Sequence, residues 1–196
     1  MIKSVDWLYY FVSSIKTGYS LETKQKIYAL INSLILLLTC NFVGKEQVFV
    51  HPTVKLYTFE LACCLFLSIE DSDQISKLSL KFNAFLKGII GFTLNIPGTR
   101  FHRAMKAADE IRKEIKMILE KRKGDLEEKR ASPTQDLLSH MLVTSDPSGR
   151  FMTEMEILDN TLLLLFAGHD TARSVLSLVM KYLGQLPHVY EHVLKG

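Results

Sequence analysis

At 196 residues, with 47% hydrophobic and 23% charged side chains, the chain has the composition of one globular domain or a large piece of one. That balance excludes a disordered tail, a collagen-like fibre and a mucin-like stalk, and a net charge of only +3 leaves no basic footprint for nucleic acid. Cys40, Cys63 and Cys64 have no C-x-x-C spacing, so neither a zinc site nor a disulfide framework is expected, and a reducing compartment is the default.

Residues 1–44 read as a segment apart from the rest. They carry only Lys3, Asp6, Lys16, Glu22, Lys24 and Lys26 as charges. Within them, residues 27–43 (IYALINSLILLLTCNFV) are uncharged, at the lower edge of a membrane span, with Asn32 and Asn41 inside. A buried helix and a membrane anchor both fit. As an anchor, the lysines ahead of it would send the following residues across the membrane.

The remaining elements read as helices. Pro52 suits a first turn, and an apolar helix follows to about Ile69. Asp71 and Asp73 can open the next, which stops by Gly91. After the turn NIPGT, residues Ala104, Ala108, Ile111, Ile115 and Ile118 form one apolar stripe on a helix to about Lys123. The run KRKGDLEEKR then reads as a solvated helix end and loop. Ser132-Pro133-Thr134-Gln135 has the pattern of a capping box opening a short helix, and Asp146-Pro147-Ser148-Gly149 that of a turn. Thr153-Glu154-Met155-Glu156 is a second capping box, opening the longest helix, to about Leu183, with Gly184 and Pro187 beyond. Five to seven helices and almost no strand signal predict an all-α fold.

Inside the last helix, the apolar run Leu162–Phe166 meets Ala167-Gly168-His169-Asp170-Thr171-Ala172. A buried Asp is costly unless paired or hydrated, and a mid-helix Gly costs about 1 kcal/mol against Ala. Two adjacent violations of local preference often mark a site. Gly168 would let a flat ligand approach the backbone. The Thr171 hydroxyl can bond the Ala167 carbonyl and bend or widen the helix there. Asp170 beside it can pass protons from solvent, which makes a Thr–acid pair a proton-delivery device.

The Ala-Gly-x-Asp-Thr pattern resembles the oxygen-activating helix of the haem-thiolate monooxygenases, the cytochrome P-450 family. KLYTFELACCLFLSI, FNAFLKGIIGFTLNIPGTRFHRAMKAADEIRKEI, ASPTQDLLSHML and VMKYLGQLPHVYEHV are similar to its plant triterpenoid-oxidising subfamily, known for β-amyrin oxidation. The resemblance covers about residues 45–196. It implies a partial cytochrome P-450 fold that lacks the C-terminal haem-ligand region. By the same resemblance, Ala167 and Gly168 lie over the face of haem b, and Asp170 and Thr171 deliver protons for oxygen–oxygen bond cleavage. Phe82, Phe85 and Leu86 fall on the helix that roofs the substrate pocket, although core packing is the stronger expectation for all three. Arg173 departs from the family pattern. A hydrophobic triterpenoid substrate, an NADPH-cytochrome reductase and the cytosolic face of the endoplasmic reticulum membrane are implied, with no nucleic acid.

The family's ligand loop, Phe-x-x-Gly-x-Arg-x-Cys, does not occur in these residues, and the three cysteines read as buried apolar thiols. Glu127-x-x-Arg130 matches the family's Glu-x-x-Arg letters but precedes the central helix, and reads as coincidence. No metal site is expected. His188 and His192, four apart, read as surface residues. The chain is thus expected not to bind haem in thiolate form by itself. Two readings stay open: a fragment of a haem-dependent monooxygenase, or a non-catalytic helical protein or truncated gene product that holds no haem.

Overall fold

The structure is a computed structural model, and it describes residues 49–89, 93–186, 188–189 and 191–192. The segment 1–44, its apolar stretch 27–43 and Cys40 lie outside the described residues. Five helices follow in order: α1 (Val50–Leu67), α2 (Ser72–Ile89), α3 (Arg100–Glu127), α4 (Leu137–Val143) and α5 (Glu154–Gln185). The only pairing outside helices among the described residues is an isolated antiparallel bridge between Ser145 and Phe151, closed over the Asp146 turn. The fold is all-α, as the sequence predicts.

Local chemistry sets the helix ends. Ser68 takes the left-handed conformation (φ 51°) after α1, so its N–H and that of Ile69 reach back to the Cys64 and Cys63 carbonyls. Thr153 caps α5 by accepting from the Glu156 N–H, while the Glu156 carboxylate accepts from the Thr153 N–H at 2.8 Å. Hydrogen bonds donated by the Thr153 N–H, the Arg150 guanidinium and the Thr153 hydroxyl pull the Glu156 carboxyl down to about 2.

Two sequence expectations are corrected. Ser132 does not open α4. The Ser132 N–H does donate to Gln135 Oε1, but the chain stays in turns, and the helix is capped by Asp136, which accepts from the Ser139 N–H at 2.8 Å. Asp136 wins because it is also paired with the buried Arg122 of α3. The second correction is the end of α3, which runs on through Gly124 and Asp125 to Glu127 and stops where Lys129 turns left-handed (φ 58°) and the N–H groups of Arg130 and Ala131 reach back to the Asp125 carbonyl.

The core draws on all five helices, with Phe59, Leu67, Leu78, Phe82, Ile111, Ile115, Leu119, Leu138 and Leu165 essentially free of solvent. The α2–α3 and α1–α5 pairings are the most extensive. Of the described helices, α5 alone is long and apolar enough to cross a membrane. Its first half instead buries Ile157, Leu158, Leu162 and Leu165 in the core.

Candidate functional site on helix α5

Helical spacing sorts the motif residues onto different faces. His169 belongs to the inner face and is 1% exposed. Its Nδ1 lies 2.9 Å from the hydroxyl of Thr58 on α1, and that hydroxyl also lies 2.9 Å from the Val54 carbonyl. The hydroxyl has one proton to give: when it goes to the Val54 or Lys55 carbonyl, the Thr58 oxygen accepts from the Nδ1–H tautomer of His169. The ring stands edge-on to Phe59 and Phe82 at centroid distances of 5.4 and 6.2 Å. Burial, then the Arg173 charge, lowers the imidazole to about 4, so it is neutral at pH 7.

Gly168 faces α1 as well. A Cβ added there would meet Cε2 and Cζ of Phe66 at 3.3 Å, so the missing side chain makes room for an aromatic ring of this chain. Ala167 and Thr171 lie on the opposite, exposed side. They continue a ridge of Leu163, Val175, Leu178 and Tyr182, each about half exposed, at spacings of three and four. The Thr171 hydroxyl donates to the Ala167 carbonyl at 2.5 Å, the bond the sequence predicts. Of the expected bend or widened turn, the widening is absent: the backbone stays α-helical through the motif. Asp170, between the two faces, is paired with Arg173.

A flat apolar group fits this ridge. Ala167 contributes only a methyl, its neighbours are apolar, and Thr171 places one hydroxyl in the middle. An axial sulfur ligand is a separate matter. Cys63 is fully buried, and desolvation pushes its thiol up to about 12, so it is not a thiolate. No group of three metal-ligating side chains occurs among the described residues, and His188 and His192 are exposed.

The substrate candidates separate too. Phe82 is 1% exposed, with its ring 5.2 Å from that of Phe59, and offers no surface to a ligand. Phe85 and Leu86 are half-buried and pack against the edge of the core. Sequence reasoning missed Thr58, because nothing local connects it to a histidine 111 positions away.

Known proteins bear on this arrangement. Among the curated relatives, β-amyrin 28-monooxygenase of Saponaria officinalis is 49% identical over 152 residues, covering 78% of this chain and 31% of that protein. β-Amyrin 28-monooxygenase of Solanum lycopersicum is 50% identical over 150 residues, covering 76% of this chain and 32% of that protein. The chain spans about a third of the length of these relatives. Among solved structures, retinoic acid-bound cyanobacterial CYP120A1 superposes with a TM-score of 0.75 over 89% of this chain and 38% of that one, at 24% identity, a likeness of fold. The cytochrome P-450 family profile matches residues 48–195. With that match across most of its length, the chain belongs to the cytochrome P-450 family.

Proposed function

We propose that residues 45–196 form a contiguous part of a monooxygenase that oxidises a hydrophobic triterpenoid of the β-amyrin type, and that residues 1–44 form a separate segment. The observation that carries this reading is the placement of Ala167 and Thr171 side by side on the open ridge of α5, in a chain about half identical to β-amyrin 28-monooxygenases.

Haem, bound in the complete protein, supplies the activation of dioxygen. The residues of this chain do the rest of the work on this side. Ala167 keeps the ridge low enough for flat groups to lie against it, and the backbone of Gly168 follows it toward α1. Thr171 holds a proton at Oγ1, at present donated to the Ala167 carbonyl, and can turn it outward. Asp170, 39% exposed, exchanges protons with water and resupplies Thr171. Phe85 and Leu86 line the roof above a hydrophobic substrate and exclude water, with Phe82 holding the roof from behind. The complete protein works at the cytosolic face of the endoplasmic reticulum membrane and takes electrons from an NADPH-cytochrome reductase.

The test is a chimera in which residues 49–192 replace the matching segment of the Saponaria officinalis enzyme. It is loaded with haem and given β-amyrin, NADPH and reductase. An oxidised triterpenoid is expected. Thr171→Ala should leave the carbon monoxide spectrum intact and lower the product formed per NADPH by about tenfold. A folded, haem-loaded chimera that makes no product would overturn the reading.

A further inference from the structure

Arg173 has no part in the relay as described, yet it holds one member of it. Asp170 and Thr171 are adjacent in sequence, but their polar atoms are drawn to opposite ends of the helix. Thr171 Oγ1 reaches one turn back, to the Ala167 carbonyl at 2.5 Å. Asp170 Oδ1 reaches forward and accepts from Nη2 of Arg173. In this arrangement the acid and the alcohol are disengaged from each other.

The arginine is not a free surface cation. Its side chain is only 20% exposed, and its Nε is buried without a hydrogen bond. Ser177, four residues further along the same side of α5, also has a buried hydroxyl oxygen without a partner. Two unsatisfied polar groups beside one ion pair are costly in a resting structure, and they supply what a second arrangement would need. Other charges converge on the same place. The ammonium of Lys55 on α1 is lowered first by burial, then by repulsion from Arg173 and from Lys87 of α2, with Asp170 acting in the opposite sense. His169 beneath them is neutral. Asp170 and Arg173 thus act on the Lys55 ammonium in opposite senses, and Arg173 is the cation bonded to the Asp170 carboxylate.

We propose that Arg173 is a positioning residue that holds the Asp170 carboxylate turned away from Thr171, so that proton delivery requires Asp170 to leave Arg173 and swing toward the exposed ridge. The inference rests on the proton-relay reading above. When the pair opens, Ser177 Oγ offers the guanidinium an acceptor one turn on, while Asp170 becomes free to receive a proton from water and pass it to the Thr171 oxygen. No covalent bond other than these O–H bonds is made or broken.

The test has two arms. In the isotope-labelled 196-residue chain, the side-chain rotamer of Asp170 is read from its Hα–Hβ couplings in the parent, in Arg173→Gln and in Arg173→Lys. The parent and the Lys variant should hold one rotamer, and the Gln variant should average over at least two. Averaging in the parent, or an unchanged rotamer in Arg173→Gln, would overturn the latch. In the haem-loaded chimera, Arg173→Gln should change the product formed per NADPH by about threefold or more, and Arg173→Lys should restore it. Asp170→Asn with an unchanged product ratio would remove the relay reading itself, an outcome distinct from a rotamer indifferent to Arg173.

Discussion

The α2–α3 and α1–α5 seams differ in what they leave unsatisfied. Across α2 and α3 the backbones approach closely at Gly88, where an added Cβ would lie 2.5 Å from the Arg100 carbonyl oxygen and press on the Ala104 methyl. Its charges are closed at the surface, with Lys81 paired to Glu114 and near Glu110. The α1–α5 seam keeps polar groups inside: the Thr58–His169 pair, an unpartnered Thr161 hydroxyl, and the Asp170–Arg173 pair with its open neighbours. A seam that only holds a fold can be dry and complete. A seam that keeps buried polarity at a cost in stability is where chemistry is to be sought.

Arg122 joins the two seams, and breaking it should have the largest effect. It is buried on α3, donates to Asp136 and Ser139 of the α4 region, and reaches the Leu67 carbonyl at the end of α1 at 3.2 Å. Arg122→Met would leave Asp136 as a buried, unpaired carboxylate. The expected loss is about 3–5 kcal/mol, read from urea unfolding. A loss below about 1 kcal/mol would mean that the two seams stand independently.

The α1–α5 seam should be the acid-sensitive one. His169 has a folded value of about 4, below the unfolded value of about 6.5. The unfolded chain therefore binds the extra proton first. The contribution of neutral His169 is fully present above about pH 6.5 and is lost as pH falls toward 4, amounting to about 2–3 kcal/mol. Comparing urea midpoints of the parent and His169→Gln across that window isolates it from other titrating groups. Parallel curves would show that the imidazole is not held neutral by this seam.

How much of this was legible follows from where each partner lies in the chain. The Thr153 box, the extent of α5, the Thr171–Ala167 bond and the Asp146 turn depend on residues within a few positions, and the sequence displays them. The start of α4 does not, because Ser132 and Asp136 are both good caps locally and the choice is made by Arg122, 14 positions upstream. For the same reason the identity of Gly168 suggested a ligand, whereas the ring that fills its vacancy belongs to Phe66, about a hundred positions away. The family resemblance was legible because it is carried by contiguous text. Helical spacing alone separates His169 from Ala167 and Thr171, but which of the two faces is the inner one could be told only once α1 was in place.

Two of the helix glycines, one at each seam, compare the seams directly. At Gly88 an added methyl meets backbone, which cannot move without shifting α3. Gly88→Ala should therefore lose about 2 kcal/mol, even after the better helix propensity of Ala is counted.

At Gly168 the methyl would meet only the outer edge of the Phe66 ring, at 3.3 Å. A half-buried phenylalanine can yield by a few tenths of an ångström, and Ala gains about 1 kcal/mol over Gly inside a helix. The two effects nearly cancel, so Gly168→Ala should unfold within about 0.5 kcal/mol of the parent. That small number decides what the glycine is for. If the Ala variant is as stable as the parent while the haem-loaded chimera carrying it loses product, the fold does not require the glycine and the site does. If it is instead destabilised as much as Gly88→Ala, the fit against Phe66 is sufficient reason for Gly168, and Ala167 and Thr171 alone carry the site on α5.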